Sequence, residues 1–583
     1  MTASRPWLDP RGLGFAVALA IVAACANGAW ILLDSATPSW DQSYYLSTAL
    51  AYGDAFDAGG IPDLLHAIRT TDASHGPLFT VLLWPLLSIF GPGPRSALLL
   101  NFLVSPFLYI AAGQIAWLLF RNWVARLLAI GLVATMPLMV GLGHEVLQDF
   151  LLVTLTAVAL WLLLLTDGFR RWEMAVATGV AMGLGTLTKV TFPLFVAGPL
   201  LVVLAGMAIA RRRADGREPP SLGLIARNAG LALLAYVVVI SPWYVPNFDA
   251  TVDYVRSTTG GPLSEGAGPE HPLTFDAITS FTLGVANQHV SWILLLAGLL
   301  AATLCVGRIR TLLARPLDPA PLLSVAFLLA WFLVPYLSVA TAHNQDVRLM
   351  APALPGLAVL VAGTIAAVER RRARLALIAV AGALLAYQTL AHTTEIDPPT
   401  SGRIAVGIDS YEAVVTLNSD PLGYERLPAP DYGTPAIEYM ASAAEALGEP
   451  GAPPTACLLE SEPIVNGNTF RYLAAAEEVE FAFVELLVGP GEGGVLGERL
   501  RECDLALYVR KPVDDPAIAG SRLQIVNEEY AARYMTPRLL AIFDGPSRTF
   551  PVGEAVASSG ENAYLTTSGS GARLRVLTQR PGP

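Results

Sequence analysis

A chain of 583 residues that is 54% hydrophobic and only 15% charged, with a mean hydropathy of +0.51, holds more apolar surface than one globular core needs. Soluble chains run nearer a quarter charged, so the composition excludes a single soluble domain and implies an α-helical polytopic membrane protein. The formal net charge of −11 is unevenly spread: from Glu395 onward roughly 27 acids face 14 bases. The membrane part is therefore near neutral, and an acidic tail argues against a nucleic-acid partner.

In chain order, Arg5 and Arg11 precede an apolar run over 12–33. Val22-Ala23-Ala24-Cys25 has the look of a lipoprotein cleavage box and Ala24-Cys25-Ala26 of a signal-peptidase site. The apolar run continues past both, which makes it an uncleaved first span. Runs long enough to cross a hydrocarbon core of about 30 Å centre on 13–33, 96–120, 124–142, 149–166, 173–189, 192–210, 223–243, 290–307, 322–340, 349–368 and 374–391. A further run, 77–90, is only about 21 Å long as a helix.

Positive charge decides whether that short run crosses. If it does not, one side of the membrane holds Arg5, Arg11, Arg121, Arg126, Arg170, Arg171, Arg211 to Arg213, Arg217, Arg308, Arg310, Arg315, Arg370 to Arg372 and Arg374. The other holds only Arg69, Arg95, Lys189, Arg256 and Arg348. The asymmetry makes 77–90 an interfacial helix, the N-terminus cytoplasmic and the spans about eleven, with the tail outside. All seven histidines (His66, His75, His144, His271, His289, His343, His392) then fall on the outer side.

The expected organisation is a transmembrane domain over 1–394, with a first outer loop at 34–95, and a soluble α/β domain over 395–583. In the tail, 456–460, 480–486, 505–509 and 539–543 read as buried strands and 434–447 and 470–477 as helices. The end, 558–583, reads as loop or weak strand. Cys25 and Cys305 lie in apolar runs as packing residues. Cys457 and Cys503 would pair in an oxidising compartment, although two separate buried thiols is the preferred reading.

Four polar clusters punctuate the outer side. Ser39-Trp40-Asp41-Gln42-Ser43-Tyr44-Tyr45 sets an acid and amphipathic rings where a lipid-linked phosphate would present its reactive carbon; the bland reading is an aromatic belt with a solvated Asp. Gly143-His144-Glu145-Val146-Leu147-Gln148-Asp149 sets two acids four residues apart, on one face if helical, or is a turn that merely needs polar residues. Lys189, in a chain where Arg dominates, suits contact with phosphate, or snorkels. In His343-Asn344-Gln345-Asp346-Val347-Arg348, Arg348 suits bidentate grip of a phosphate, or pairs with Asp346 or the tail.

In this order the clusters resemble the GT-C superfamily of membrane glycosyltransferases, in the branch of the protein O-mannosyltransferases and the lipid A aminoarabinose transferase. The resemblance rests on Asp41 with Tyr44 and Tyr45, His75-Gly76-Pro77-Leu78-Phe79 before a short helix, Asp149 with Glu145, the segment Gly183 to Lys189 ending Leu187-Thr188-Lys189, and Arg348-Leu349-Met350-Ala351-Pro352 with Pro355. It covers roughly 12–391. Where the family often has Asp-Glu this chain has Asp41-Gln42, Gly76 replaces the first Pro of a pair, and Leu349 replaces a Tyr. A Lys or Arg near that pair is missing, with His75 as a substitute.

The resemblance implies a polyprenyl-phosphate sugar donor at the outer face of a bacterial inner membrane and an acceptor that is a lipid, glycan or protein. Asp41 would be the general base in an inverting single displacement, Lys189 and Arg348 would hold the phosphate, and Glu145 or Asp149 would orient the acceptor or tune Asp41. Tyr44, Tyr45, His75, His144 and His343 complete the expected binding residues. No cofactor is required on this reading; a divalent metal at His75, His144 or His343 is the lesser alternative, since no ligand spacing occurs. A transporter or flippase is disfavoured because span centres hold almost no ionisable groups, and a catalytically silent binding relative is the remaining alternative.

Overall fold

The structure is a computed structural model. It describes the chain except residues 1–9, 213–220, 261–268, 270, 307–319, 394–401, 407–408, 414–436, 439–440, 442–452, 459–465, 486–504, 511–538, 545–554, 558–561, 567–572 and 579–583. The described residues divide into two compact units. One comprises Met1–Leu33, Gly59–Leu82 and Leu98–Leu427; the other comprises Asp34–Ala58, Leu83–Ala97 and Pro428–Pro583.

The first unit is helical. Its elements include α1 (Pro10–Leu33), α4 (Pro94–Phe120), α5 (Trp123–Thr135), α6 (Pro137–Gly143), α7 (Gln148–Leu165), α8 (Trp172–Thr188), α9 (Phe192–Arg212) and α10 (Leu222–Tyr244). After them come α11 (Phe248–Gly260), α12 (Phe275–Gly284), a π-helical turn Val285–Val290, α13 (Trp292–Leu304), α14 (Ala320–Ala340), a 3-10 turn Val347–Ala353, α15 (Leu354–Ala367) and α16 (Arg371–Thr393). Helical segments lie at the positions of the eleven expected spans among the described residues. Among the described residues seven helices are long and apolar enough to cross a membrane, or eight if α5 and α6, bent by 58° where Pro137 follows Met136, count as one. The chain is a multi-pass membrane protein.

Small residues set the closest helix packing. Along α8, a Cβ at Gly179 would lie 2.0 Å from the Ala232 carbonyl oxygen of α10, and one at Gly183 would lie 2.7 Å from Val239 Cβ. This small-xxx-small spacing lets two backbones approach where water supplies no driving force. α15 is the most buried of the spans; Gly356 and Gly363 admit the rings of Trp331 and Phe120 against it. Arg126, expected as a charge on a connection, is instead wholly buried in α5, its guanidinium 4.3 Å from the centre of the Trp117 ring.

The segment 34–95 is more ordered than the word loop implied. It folds as α2 (Trp40–Thr70) and α3 (Leu78–Phe90). α3 is the short helix expected over 77–90. α2 breaks at Gly60, whose φ of 69° and ψ of −148° suit glycine, and Pro62 follows two residues on.

In the second unit β3 (Thr455–Leu458), β4 (Ala482–Glu485), β5 (Leu505–Arg510) and β6 (Leu539–Asp544) sit at the four expected strand positions. They pair in parallel in the order β4-β3-β5-β6, and the sheet continues antiparallel through β9 (Arg573–Thr578), β8 (Asn562–Thr566) and β7 (Ala555–Ala557). The Gly/Ser/Thr-rich end thus supplies strands β8 and β9. A helix, α17 (Gly467–Ala476), is capped by Asn466, whose side chain accepts from the Thr469 amide at 3.0 Å. The helix expected at 434–447 lies largely outside the described residues. Two further strands, β1 (Gly402–Val406) and β2 (Asp409–Ala413), form an antiparallel hairpin in the first unit. Cys457, on β3, is disulfide-bonded, against the preference for separate thiols. Cys503 lies outside the described residues; it precedes β5, the strand beside β3, by two residues. Cys25 and Cys305 are free.

Candidate functional site

In the first unit, two ion pairs from three separate segments meet. Lys189 ends α8 as its C-cap, with its N–H on the Gly185 carbonyl. The α8 end is held by Tyr244, whose hydroxyl donates to the Thr186 carbonyl at 2.7 Å. From there Lys189 Nζ reaches Asp149 Oδ1 at 2.9 Å. Asp149 sits in the first turn of α7, where the helix dipole favours a carboxylate, and it is only 2% exposed against 18% for Lys189. The lysine therefore does not snorkel.

Arg348 is the second residue of the 3-10 turn. Asp346 caps that turn by accepting the Arg348 amide at 2.9 Å, and its other oxygen accepts Arg348 Nε at 3.1 Å and Nη2 at 2.8 Å. Pairing with Asp346 is thus the arrangement found. The turn is fixed by Trp331 of α14, which donates its indole N–H to the Pro352 carbonyl at 2.9 Å. Burial alone would raise the Asp346 carboxyl, but the Arg348 guanidinium beside it, and then the Lys189 ammonium, hold it below the ordinary carboxylate value. Lys189 and Arg348, 159 positions apart in sequence, act on one carboxylate.

The acidic turn between α6 and α7 is clamped. Asn101 of α4 donates to the carbonyls of Leu142, Gly143 and Glu145, the last at 2.8 Å. His144 stacks on Trp30 of α1 with ring centres 3.7 Å apart and planes 3° from parallel. Glu145 is buried. Neither Asn101 nor Trp30 was singled out from sequence; the signal for Asn101 was an amide in an otherwise apolar run.

His75 belongs to the turn before α3. Its Nδ1 lies 2.9 Å from Asp72 Oδ2, and its ring stands edge-on to Tyr254 of α11 at 4.4 Å. Asp72 also accepts the amides of Ser74 and His75. Burial would raise the Asp72 carboxyl; the hydrogen bond and charge of His75 bring it below its ordinary value. Gly76 has a specific reason: a Cβ there would lie 2.2 Å from the Leu187 carbonyl oxygen. The turn is pressed against the Leu187-Thr188-Lys189 segment, which joins the two motifs in space. His343 is exposed on its turn, outside this cluster. Among the described residues no three His, Cys, Asp or Glu side chains group as a metal site.

In the second unit, Asp41 occupies the first turn of α2 and is exposed. Tyr45 is buried behind it, edge-on to Tyr44 at 5.9 Å. The tail holds this segment directly. Ser43 Oγ donates to the Pro38 carbonyl at 2.7 Å, and Thr469 of α17 donates to the same carbonyl at 3.1 Å. Tyr472 of α17 donates to the Pro92 carbonyl at 3.0 Å. Thr469 and Tyr472 were not legible as site-supporting residues, since their partners lie some 380 to 430 positions away.

Residues 74–243, which carry the His75–Gly76 turn, Glu145, Asp149 and Lys189, match the family described as dolichyl-phosphate-mannose-protein mannosyltransferase. No curated protein matches the sequence. Among solved structures the chain is similar to ArnT from Cupriavidus metallidurans in the apo state, at 13% identity over 97% of this chain and 97% of that one, with a TM-score of 0.50. It is also similar to the same protein bound to undecaprenyl phosphate (12% identity, 96% and 98% covered, TM-score 0.49). A third likeness is to the arabinofuranosyltransferase AftD from Mycobacteria (14% identity, 98% of this chain and 40% of that one, TM-score 0.44). The family match is confined to the segment bearing the first ion pair, and the likeness to apo ArnT, along the whole chain, is one of fold.

Proposed function

We propose that the chain moves a sugar from a polyprenyl-phosphate carrier to an acceptor hydroxyl or amine at the outer face of a bacterial inner membrane. The observation that carries this reading is a pair of cations from separate helix ends, each held by a carboxylate, Lys189 by Asp149 at 2.9 Å and Arg348 by Asp346 at 2.8 Å. The dolichyl-phosphate-mannose donor named in the family description of residues 74–243 supports a carrier of the same chemical class. A disulfide-bonded Cys457 suits a tail in an oxidising compartment, in keeping with the Arg-rich connections on the opposite side.

In this mechanism Asp41 takes the proton from the acceptor as its oxygen or nitrogen attacks the anomeric carbon. The bond from that carbon to the carrier's phosphate oxygen breaks, and the electron pair leaves with the phosphate. Lys189 and Arg348 offset the charge that develops there. Asp149 orients Lys189, Glu145 orients the acceptor, and Tyr44, Tyr45, His75 and His144 line the approach. Inversion at the anomeric carbon follows from a single displacement. No divalent metal takes part, so turnover persists in excess EDTA.

Purified chain is incubated with undecaprenyl-phosphate-linked mannose, pentose and aminopentose, and release of undecaprenyl phosphate is measured. Release by the wild type and none by Asp41→Asn, with melting temperature unchanged, is the expected result. Full turnover by Asp41→Asn removes the base assignment; no release from any carrier by the wild type removes the transferase reading.

A further inference from the structure

The π-helical turn Val285–Val290 and the residue after it have no role in the mechanism above. The turn packs against α6 and against the 3-10 turn that carries Arg348. Its His289 is 1% exposed, and neither ring nitrogen has a hydrogen-bond partner among the described residues. The field of the Asp346 carboxylate reaches this ring. Burial, only partly opposed by that field, lowers the imidazole to about 3 and keeps it neutral.

Ser291 is as unusual. It stands at the N-cap of α13, where a serine ordinarily turns its hydroxyl onto the helix's first amides. Here it makes no such bond, and Oγ is buried without a partner among the described residues. Its φ of 101° is one that L residues rarely adopt. π turns and left-handed non-glycine residues concentrate at functional sites, and buried polar atoms without partners are few in folded proteins. Two further such atoms, Gln148 Oε1 and Thr191 Oγ1, belong to residues flanking Asp149 and Lys189 in sequence.

We propose that His289 and Ser291 form a subsite for hydroxyl groups of the transferred sugar, beside the Asp346–Arg348 pair. The chemistry selects hydroxyls over phosphate. A neutral imidazole offers one donor and one acceptor, and a serine hydroxyl offers both, which matches sugar hydroxyls that give and accept. A phosphate only accepts, and the neighbouring Asp346 carboxylate repels it. The subsite rests on the transferase reading and extends it to sugar selectivity.

The test uses full-length protein in lipid nanodiscs with Ser291→Gly, which keeps the backbone conformation and removes the hydroxyl, and with His289→Leu and His289→Gln. The substrate is whichever of the mannose, pentose and aminopentose carriers the wild type turns over fastest; bare undecaprenyl phosphate serves as inhibitor. Ser291→Gly and His289→Leu are expected to lower kcat/KM about tenfold or more while leaving inhibition by undecaprenyl phosphate within about twofold, and His289→Gln recovers part of the loss. Equal weakening of both, or no change in either, overturns the subsite while the active wild type leaves the transferase reading standing. An inactive wild type on all three carriers sinks both.

Discussion

Removing the charge of Lys189 isolates what the Asp149 pair contributes. At 2.9 Å two unit charges attract by about 6 kcal/mol at an effective dielectric near 20, a gross figure that desolvation offsets. Asp149 is 2% and Lys189 18% exposed, so solvent does little to replace a lost partner. Lys189→Met should therefore cost about 3–5 kcal/mol, because a buried carboxylate loses its counter-charge. Asp149→Asn should cost a similar amount by stranding the ammonium. The double variant should be markedly less destabilised than the sum of the two, since neither uncompensated charge remains. Melting of the four detergent-solubilised proteins, followed by tryptophan fluorescence, reads this directly. Two single variants with wild-type melting temperatures, or a double variant whose loss equals the sum, would refute a structural ion pair at this position. All three variants should be inactive in carrier-phosphate release, whatever their stability.

Two other perturbations probe the supports of the site. Gly76→Ala puts a Cβ 2.2 Å from the Leu187 carbonyl; it should destabilise by about 1–3 kcal/mol, as overpacking does, and depress activity through the shifted Lys189, seen as a lower melting temperature together with reduced turnover. Thr469→Val and Tyr472→Phe each remove one hydrogen bond from α17 to the Pro38 and Pro92 carbonyls. Each should cost about 0.5–1.5 kcal/mol and, in combination, lower kcat while leaving the inhibition constant of bare undecaprenyl phosphate unchanged.

The long helices were readable because a membrane span demands an almost unbroken apolar stretch, although seven or eight of the eleven expected are long and apolar enough to cross among the described residues. The four parallel strands were readable because short apolar runs between turn residues suit a sheet buried on both faces. α2 was not readable as a helix. Its middle, with Gly53, Asp54, Asp57, Gly59, Gly60 and Pro62, has the composition of a loop, and packing overrides propensity there. The Arg348–Asp346 pair was open to sequence reasoning because its members are two residues apart. The Lys189–Asp149 pair was not, since nothing local links positions separated by 40 residues. Gly76 looked like a departure from the Pro pair of the GT-C family and proves to sit against the backbone of the Leu187-Thr188-Lys189 segment. His289 was visible only as one of seven outer histidines; its burial beside Asp346 depends on a π turn, which leaves no mark in hydrophobic periodicity.

The first-unit cluster is electrically balanced, with Asp149 and Asp346 against Lys189 and Arg348, and this bears on how such a site would work. A phosphate-linked sugar carries one negative charge as a diester and gains a second when its carbon–oxygen bond breaks. Two naked cations would hold the diester tightly and spend their attraction before the reaction begins, which lowers KM without raising kcat. With each cation already matched by a carboxylate, the diester competes against Asp346 for Arg348 and is bound weakly. The charge that appears on the leaving oxygen then tips the competition, because a second unit of charge in a partly dry site is a stronger partner than a single carboxylate. Asp346→Asn follows from the same logic: it should tighten inhibition by undecaprenyl phosphate while slowing turnover, a divergence that simple loss of a structural bond would not produce.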